Sequence, residues 1–125
     1  MNRYDVAVSL KDSGKCNCAQ AVLIAYKDLL NLSEEDLLKL GSGFGVGMGC
    51  LEATCGALIG ANMILGLLND GNKKLMFKSK ELLNDFKNMS HDTICKNLKA
   101  IVDGKPVCEC NMCVKNACLA LDKLI

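Results

Sequence analysis

The stretch that decides the fold runs Gly41-Ser42-Gly43-Phe44-Gly45-Val46-Gly47-Met48-Gly49-Cys50-Leu51-Glu52-Ala53-Thr54-Cys55-Gly56-Ala57-Leu58-Ile59-Gly60-Ala61-Asn62-Met63-Ile64-Leu65-Gly66-Leu67-Leu68. Glycine stands at every second position from Gly41 to Gly49, which suits a backbone that takes positive φ or comes very close to another group. Cys50 and Cys55 follow, and after Cys55 the chain has too few polar residues to form a surface helix, so this segment is expected to be buried. Gly56 and Gly60 are four apart, as are Ala57 and Ala61, leaving a flat face on which another helix can lie. The reading is a loop that presents thiols, leading into the central helix of a small domain.

Working outward, a chain of 125 residues reads as one domain, 1–125. Half of the residues are hydrophobic and 4% are aromatic, so the core must be built from aliphatic side chains and methionine. That is enough apolar material for a core without disulfide staples. The net charge is +1 with no basic stripe, which argues against nucleic acid as a partner. Met1-Asn2-Arg3-Tyr4-Asp5 contains no apolar signal core, so a cytoplasmic location is expected. The longest apolar run, Ala53 to Leu68, includes Asn62 and is short for a membrane span, which needs about 20 residues; no membrane insertion is expected.

Helical signals recur along the rest of the chain. Val6 and Leu10 share one side of a helix over Asn2–Lys11. Asn17 can cap a helix from Cys18 to Leu30 with Ala21, Val22, Ala25 and Leu29 inward, placing Cys18 where the helix dipole should lower its pKa. Ser33 before Glu34, Glu35 and Asp36 starts a short helix that ends at Gly41. The central helix spans about Thr54 to Leu68 and closes at Asn69-Asp70-Gly71-Asn72. Lys73 to Met89 follows, with Leu75 or Met76, Leu82 or Leu83, and Phe86 inward, and Ser90-His91-Asp92 breaks it. Asp92 or Thr93 can cap a short helix carrying Cys95 and Leu98. Val102 to Val107, with Pro106, reads as a loop. The last helix, Cys108 to Ile125, turns Val114, Ala117, Leu121 and Leu124 inward. No alternating strand pattern of useful length is visible, so the fold class is all-α: a compact single-domain bundle of about five to six helices with a glycine-rich loop before a buried central helix.

The nine cysteines fall into groups: Cys16 and Cys18; Cys50 and Cys55; Cys95; then Cys108, Cys110, Cys113 and Cys118. Single cysteines are often small buried hydrophobes. Nine in a chain without an export signal point instead to metal binding or redox work. Asn17-Cys18-Ala19-Gln20-Ala21-Val22, the glycine loop with Cys55-Gly56-Ala57-x-x-Gly60-Ala61 and Leu65-Gly66-Leu67, Cys95-x-x-Leu98, and Cys110-x-x-x-Val114-x-x-Ala117 occur in that order. Together they resemble the C-GCAxxG-C-C family of redox-active proteins over nearly the whole chain. The resemblance maps the four shared family cysteines onto Cys18, Cys55, Cys95 and Cys110, with Cys113 an alternative for the last, and implies a small helical redox protein. Split-Soret cytochromes are similar too, but they attach haem through C-x-x-C-H. Here Val114 follows Cys113, so covalent haem is not expected.

The first functional reading is an electron carrier. Its thiolates, from Cys18, Cys55, Cys95 and Cys110 with Cys113 and Cys50 next, ligate an iron–sulfur cluster, or zinc as the bland alternative. The glycine loop (Gly45, Gly47, Gly49) and Gly56 at the helix start would supply N–H groups to the sulfur charge. The second reading is a thiol–disulfide oxidoreductase using Cys18 and Cys55 as the catalytic pair. The third is a structural zinc-binding or interaction module. The partner on the first two readings is an unidentified redox protein. The small-residue face of the central helix serves either internal packing or a homodimer contact. The glycine run lacks G-x-G-x-x-G in register and no G-K-[ST] follows it, so nucleotide binding is not supported. His91, Glu52 and Glu109 read as solvated or capping residues. Met63, Met76 and Met89 read as core filler, and Met48 and Met112 flank cysteine groups where a cofactor could touch them.

Overall fold

Among residues 2–125, side-chain capping marks the start of two of the seven α-helices. In a computed structural model, which describes residues 2–125, α1 spans Arg3–Asp12, α2 Cys18–Ala25, α3 Glu34–Gly41, α4 Gly56–Leu68, α5 Leu75–Ser90, α6 Cys95–Leu98 and α7 Cys110–Asp122. Met1, the first residue of the expected 1–125 domain, lies outside the described residues. Among those residues there are seven α-helices, slightly above the expected five to six. Asn17 and Gln20 form a reciprocal capping box: the Gln20 N–H donates to Asn17 Oδ1 at 2.8 Å and the Asn17 N–H to Gln20 Oε1 at 2.9 Å. Ser33 Oγ accepts from the Asp36 N–H at the start of α3. The expected Cys18–Leu30 helix stops earlier, at Ala25; a 3-10 turn over Lys27–Leu29 follows, and Leu29 is exposed.

The small-residue face of α4 is used inside the chain. Gly56, Ala57, Gly60 and Ala61 are all buried, and α2 lies across them so closely that a Cβ on Gly60 would sit 2.9 Å from the Ala19 carbonyl oxygen. The α2–α4 pair is the most extensive helix contact of the fold. Around it α1, α5 and α7 close one contiguous apolar core that includes Val22, Leu37, Ile64, Leu65, Phe86 and Leu121. Met63 and Met89 pack against that core, but Met76 is 73% exposed and is not core filler. Leu75 rather than Met76, and Leu82 rather than Leu83, face inward on α5. No helix among the described residues is long and apolar enough to cross a membrane.

The expected loop from Val102 to Val107 contains a small antiparallel ribbon, β1 (Ile101–Val102) and β2 (Lys105–Pro106). Asp103 and Gly104 both take positive φ at its tip, as a tight hairpin turn demands. A second backbone pairing matters more. Thr54 bridges Ile94 in antiparallel fashion, with the Cys55 N–H donating to the Thr93 carbonyl at 2.8 Å and the Cys95 N–H to the Ala53 carbonyl at 3.0 Å. The Asp92 carboxylate fixes this turn by accepting the Thr93 and Ile94 N–H groups.

Asn17 ties the glycine loop to α2, because its Nδ2 also donates to the Gly41 and Ser42 carbonyls. Asn17→Ala should therefore cost toward the upper end of the ~0.5–2 kcal/mol of a lost N-cap. Urea unfolding checks this, with Ser33→Ala as the reference: Ser33 makes a cap bond and no loop contact, so equal losses would refute the second role.

Candidate functional site

Four helix starts carry a cysteine. Cys18, Cys95 and Cys110 are the first residues of α2, α6 and α7, and Cys55 is the N-cap of α4. All four line one internal cavity of about 60 Å³, and Cys108 and Cys113 line it as well. That is several times the 10–15 Å³ a water-sized sphere occupies. The remaining wall comes from Asn17, Val46, Gly56, Leu98 and two lysines, Lys11 and Lys99; among the described residues it includes no carboxylate and no imidazole.

Tertiary links bring these residues together from across the chain. The Thr54–Ile94 bridge sets Cys55 beside Cys95. The ribbon returns the chain so that the Cys108 N–H donates to the Leu98 carbonyl at 2.9 Å. Asn111 Nδ2 donates to Asp12 Oδ1 at 2.6 Å, joining the start of α7 to the end of α1, where Lys11 stands.

The glycines make room for the site. A Cβ on Gly45 would lie 2.6 Å from Asn17 Cβ, one on Gly47 2.7 Å from Cys95 Cβ, and one on Gly56 2.6 Å from Cys18 Sγ. Gly49 faces open space. Between Val46 and Leu51 the backbone is left-handed at Val46 (φ 53°), Met48 (φ 59°) and Leu51 (φ 69°), as well as at Gly47 and Gly49. Such residues cost of order 1–3 kcal/mol each and persist where surrounding structure holds them. Val46 is β-branched, which makes its conformation costly. It aims its backbone N–H at the Cys18 sulfur.

The thiols share charge unequally. Cys55 is held far below the usual thiol range, first by Cys113 and Cys18 beside it, then by the N–H groups of Leu58 and Ala57 at the start of α4, against the opposing effect of burial. Cys18 moves up because its proton is held by the Cys55 sulfur and because it is desolvated. This corrects the expectation that the helix dipole lowers Cys18: the negative charge settles on Cys55. Cys113 also moves up, between Cys108 and Cys55. Cys108 comes down to about 7, chiefly through Cys113 and with help from the Ser90 hydroxyl. Burial raises Cys95. Burial opposes the charge on Lys99, but Cys110 and Cys95 outweigh it and raise its pKa.

Of the predicted thiols, Cys18, Cys55, Cys95, Cys110 and Cys113 meet at the cavity. Cys50 does not: it is exposed in the left-handed turn, its Sγ donating to the Gly47 carbonyl at 3.6 Å. Both Cys110 and Cys113, the two alternatives for the last family cysteine, line the wall. Cys108, Lys11 and Lys99 join the site without having been singled out from the sequence. For Cys108 the signal was present in Cys108-x-Cys110-x-x-Cys113. Met48, Met112, Glu52, Glu109 and His91 are exposed and lie off this cavity.

The family model described as "Putative redox-active protein (C_GCAxxG_C_C)" matches residues 16–124. The chain belongs to this family. Comparison with curated proteins and with solved structures returns no match. The C-GCAxxG-C-C match takes in all nine cysteines and the glycine loop, and so the whole cavity wall except Lys11.

Cys118 lies inside the family match but outside the cavity. It is fully buried beside Tyr26 and Asp122, and burial pushes it up from 9.0 to about 12. The folded chain keeps a proton that the unfolded chain releases above pH 9.0. Stability from this group is intact below that pH and is lost toward pH 12, at ~1.4 kcal/mol per pH unit. Tyr26, Cys18 and Cys113 are raised as well, so urea unfolding of metal-free protein between about pH 8 and about pH 11 should fall more steeply than Cys118 alone requires. Cys118→Ala should flatten the alkaline limb by that amount, and an unchanged limb would contradict the assignment.

Proposed function

We propose that the protein is a cytoplasmic electron carrier whose cavity thiols hold an iron–sulfur cluster, with Cys18, Cys55, Cys95 and Cys110 as ligands and Cys113 in reserve. The observation that carries this reading is the convergence of four cysteine-bearing helix starts on one cavity. The start of α4 turns the Ala57 and Leu58 N–H groups toward Cys55, the Val46 N–H of the glycine loop faces Cys18, and the positive ends of the longer helices α2 and α7 add to the offset of thiolate charge. The donor set fits: it is all sulfur, with Leu98 and Val46 keeping the wall apolar and Lys99 and Lys11 supplying positive charge. Among the described residues no three His, Cys, Asp or Glu side chains close on a single point as one ion requires. A polynuclear group takes its ligands on different metal atoms; a lone zinc on the same thiols is the alternative.

When bound, a cluster supplies one-electron transfer at a potential set by burial and by hydrogen bonds to its sulfurs. The chain's own contribution is to hold one ligand, Cys55, charged within a mostly buried wall and to set N–H groups and a lysine beside the others. Cys55 is already the charged member of its group, the Val46 N–H faces the Cys18 sulfur, and Lys99 balances Cys110 and Cys95. Iron and acid-labile sulfide analysis of anaerobically purified protein, with its visible charge-transfer absorption, tests the reading; colourless, iron-free protein after reconstitution would defeat it.

A second reading, thiol–disulfide exchange by Cys18 and Cys55, is favoured by one observation. These two thiols are neighbours of unequal proton affinity, as an attacking and a resolving sulfur must be. It gains if iron is absent and the pair oxidises reversibly.

A further inference from the structure

Among the described residues, the buried polar side chains are Ser90 and Asn116. Burying polar groups costs free energy unless they find partners, and these two converge on one sulfur. Asn116 Nδ2 donates to Ser90 Oγ at 2.9 Å and to Cys108 Sγ at 3.9 Å, and the Ser90 hydroxyl faces the same thiol. A cysteine acting only as core filler would not need two buried donors. Cys113 lies alongside, its Sγ 3.7 Å from the Cys108 carbonyl oxygen.

Cys108 also borders a second space. An open groove of about 610 Å³ runs past it, walled by Met89, Pro106, Val107 and Met112, with His91 and Glu109 also in its lining. This volume is in the range of small-molecule sites. Cys108 is the one cysteine that lines both the groove and the thiol cavity, whereas Cys113 lines the cavity alone.

We propose that Cys108 and Cys113 form a dithiol pair that reduces a small organic disulfide bound in this groove, Cys108 attacking and Cys113 resolving. Met89, Pro106, Val107 and Met112 suit an aliphatic arm of the substrate, and His91, Glu109 and Asn116 in the same lining suit a polar end. The Cys108 sulfur attacks one sulfur of the substrate, forming a mixed disulfide as the substrate S–S bond breaks and the first thiol leaves with a proton. The Cys113 sulfur then attacks Cys108, forming the Cys108–Cys113 disulfide and releasing the second thiol with the proton Cys113 gave up. The substrate is reduced by two electrons and the pair is oxidised by two. Ser90 and Asn116 are positioning residues that hold Cys108 for attack. The pair uses none of the four proposed ligands Cys18, Cys55, Cys95 and Cys110, and draws only on Cys113, which that reading holds in reserve.

The test uses the full chain, anaerobically reduced, with one equivalent of 2-hydroxyethyl disulfide as probe. Peptide mapping should find Cys108–Cys113 as the dominant disulfide, with both thiol halves of the probe released. Cys113→Ser should stop at a mixed disulfide on Cys108. Asn116→Ala and Ser90→Ala should slow capping of Cys108 about tenfold, the effect of one lost hydrogen bond, while capping of exposed Cys50 in the same molecules stays unchanged. Loosened packing alone would accelerate Cys108 instead, and that result would refute the positioning role. A dominant Cys18–Cys55 disulfide, or probe found only on Cys16 and Cys50, would overturn the proposal. The map of the unaltered protein decides even if a variant fails to fold.

Discussion

Cys55→Ser should empty the proposed centre, reducing bound iron and sulfide to background, a loss of more than about 100-fold in affinity. Serine keeps the size of the side chain, but its oxygen is a hard donor that stays protonated where the thiol does not. Cys55 is also the hub of the charge distribution. It lies between Cys18 and Cys113, and it alone receives both the Ala57 and Leu58 N–H groups. Removing its charge should let Cys18 ionise more easily, because the neighbour that holds the Cys18 proton is gone. Alkylation of Cys18 in the metal-free variant should accordingly become faster. Cys50→Ser and Cys118→Ser should keep full iron content, since neither lines the cavity. Wild-type iron in Cys55→Ser would remove the central ligand from the proposal.

Gly56→Ala should destabilise the fold by about 3 kcal/mol, the upper end of ordinary overpacking. Alanine is the better helix former by roughly 1 kcal/mol, so propensity alone predicts the opposite sign. Space decides the matter. The added methyl would lie 2.6 Å from Cys18 Sγ and would also run into the Phe44 carbonyl oxygen, which is backbone and cannot rotate away. Either α4 moves off α2 or Cys18 is displaced, so the variant should lose iron as well as stability. Gly49→Ala is the matched control. It carries the penalty of φ +78° but meets nothing within 4 Å, so it should cost only about 1–2 kcal/mol. Urea unfolding with an unchanged slope gives both numbers; equal losses at the two positions would show that packing at Gly56 is not what holds Cys18 in place.

Much of the helical frame was legible because its signals are local. Asn17 with Gln20, and Ser33 before three acidic residues, mark helix starts through hydrogen bonds that span only a few residues. Other features were readable but overlooked. Asp103-Gly104 is a hairpin dipeptide, and Cys108-x-Cys110-x-x-Cys113 places a third thiol next to the pair that the reading favoured. The exposure of Met76 on α5 was not legible, because Leu75 and Met76 satisfy the same periodicity and only the position of α4 chooses between them.

By itself the sequence determined that the chain is helical, that a glycine loop precedes a buried helix, that the small face of that helix admits a close neighbour, and that Cys18 and Cys55 sit near helix starts. Each of these follows from residue spacing and backbone chemistry over short range. The tertiary structure alone decided that the neighbour is α2, that Cys55 meets Cys95 through the Thr54–Ile94 bridge, that Cys50 stays outside, and that the charge rests on Cys55 instead of Cys18. The reason is physical: a thiol's proton affinity depends on which sulfurs and N–H groups surround it, and here those come from α2, α4 and α7, segments far apart along the chain.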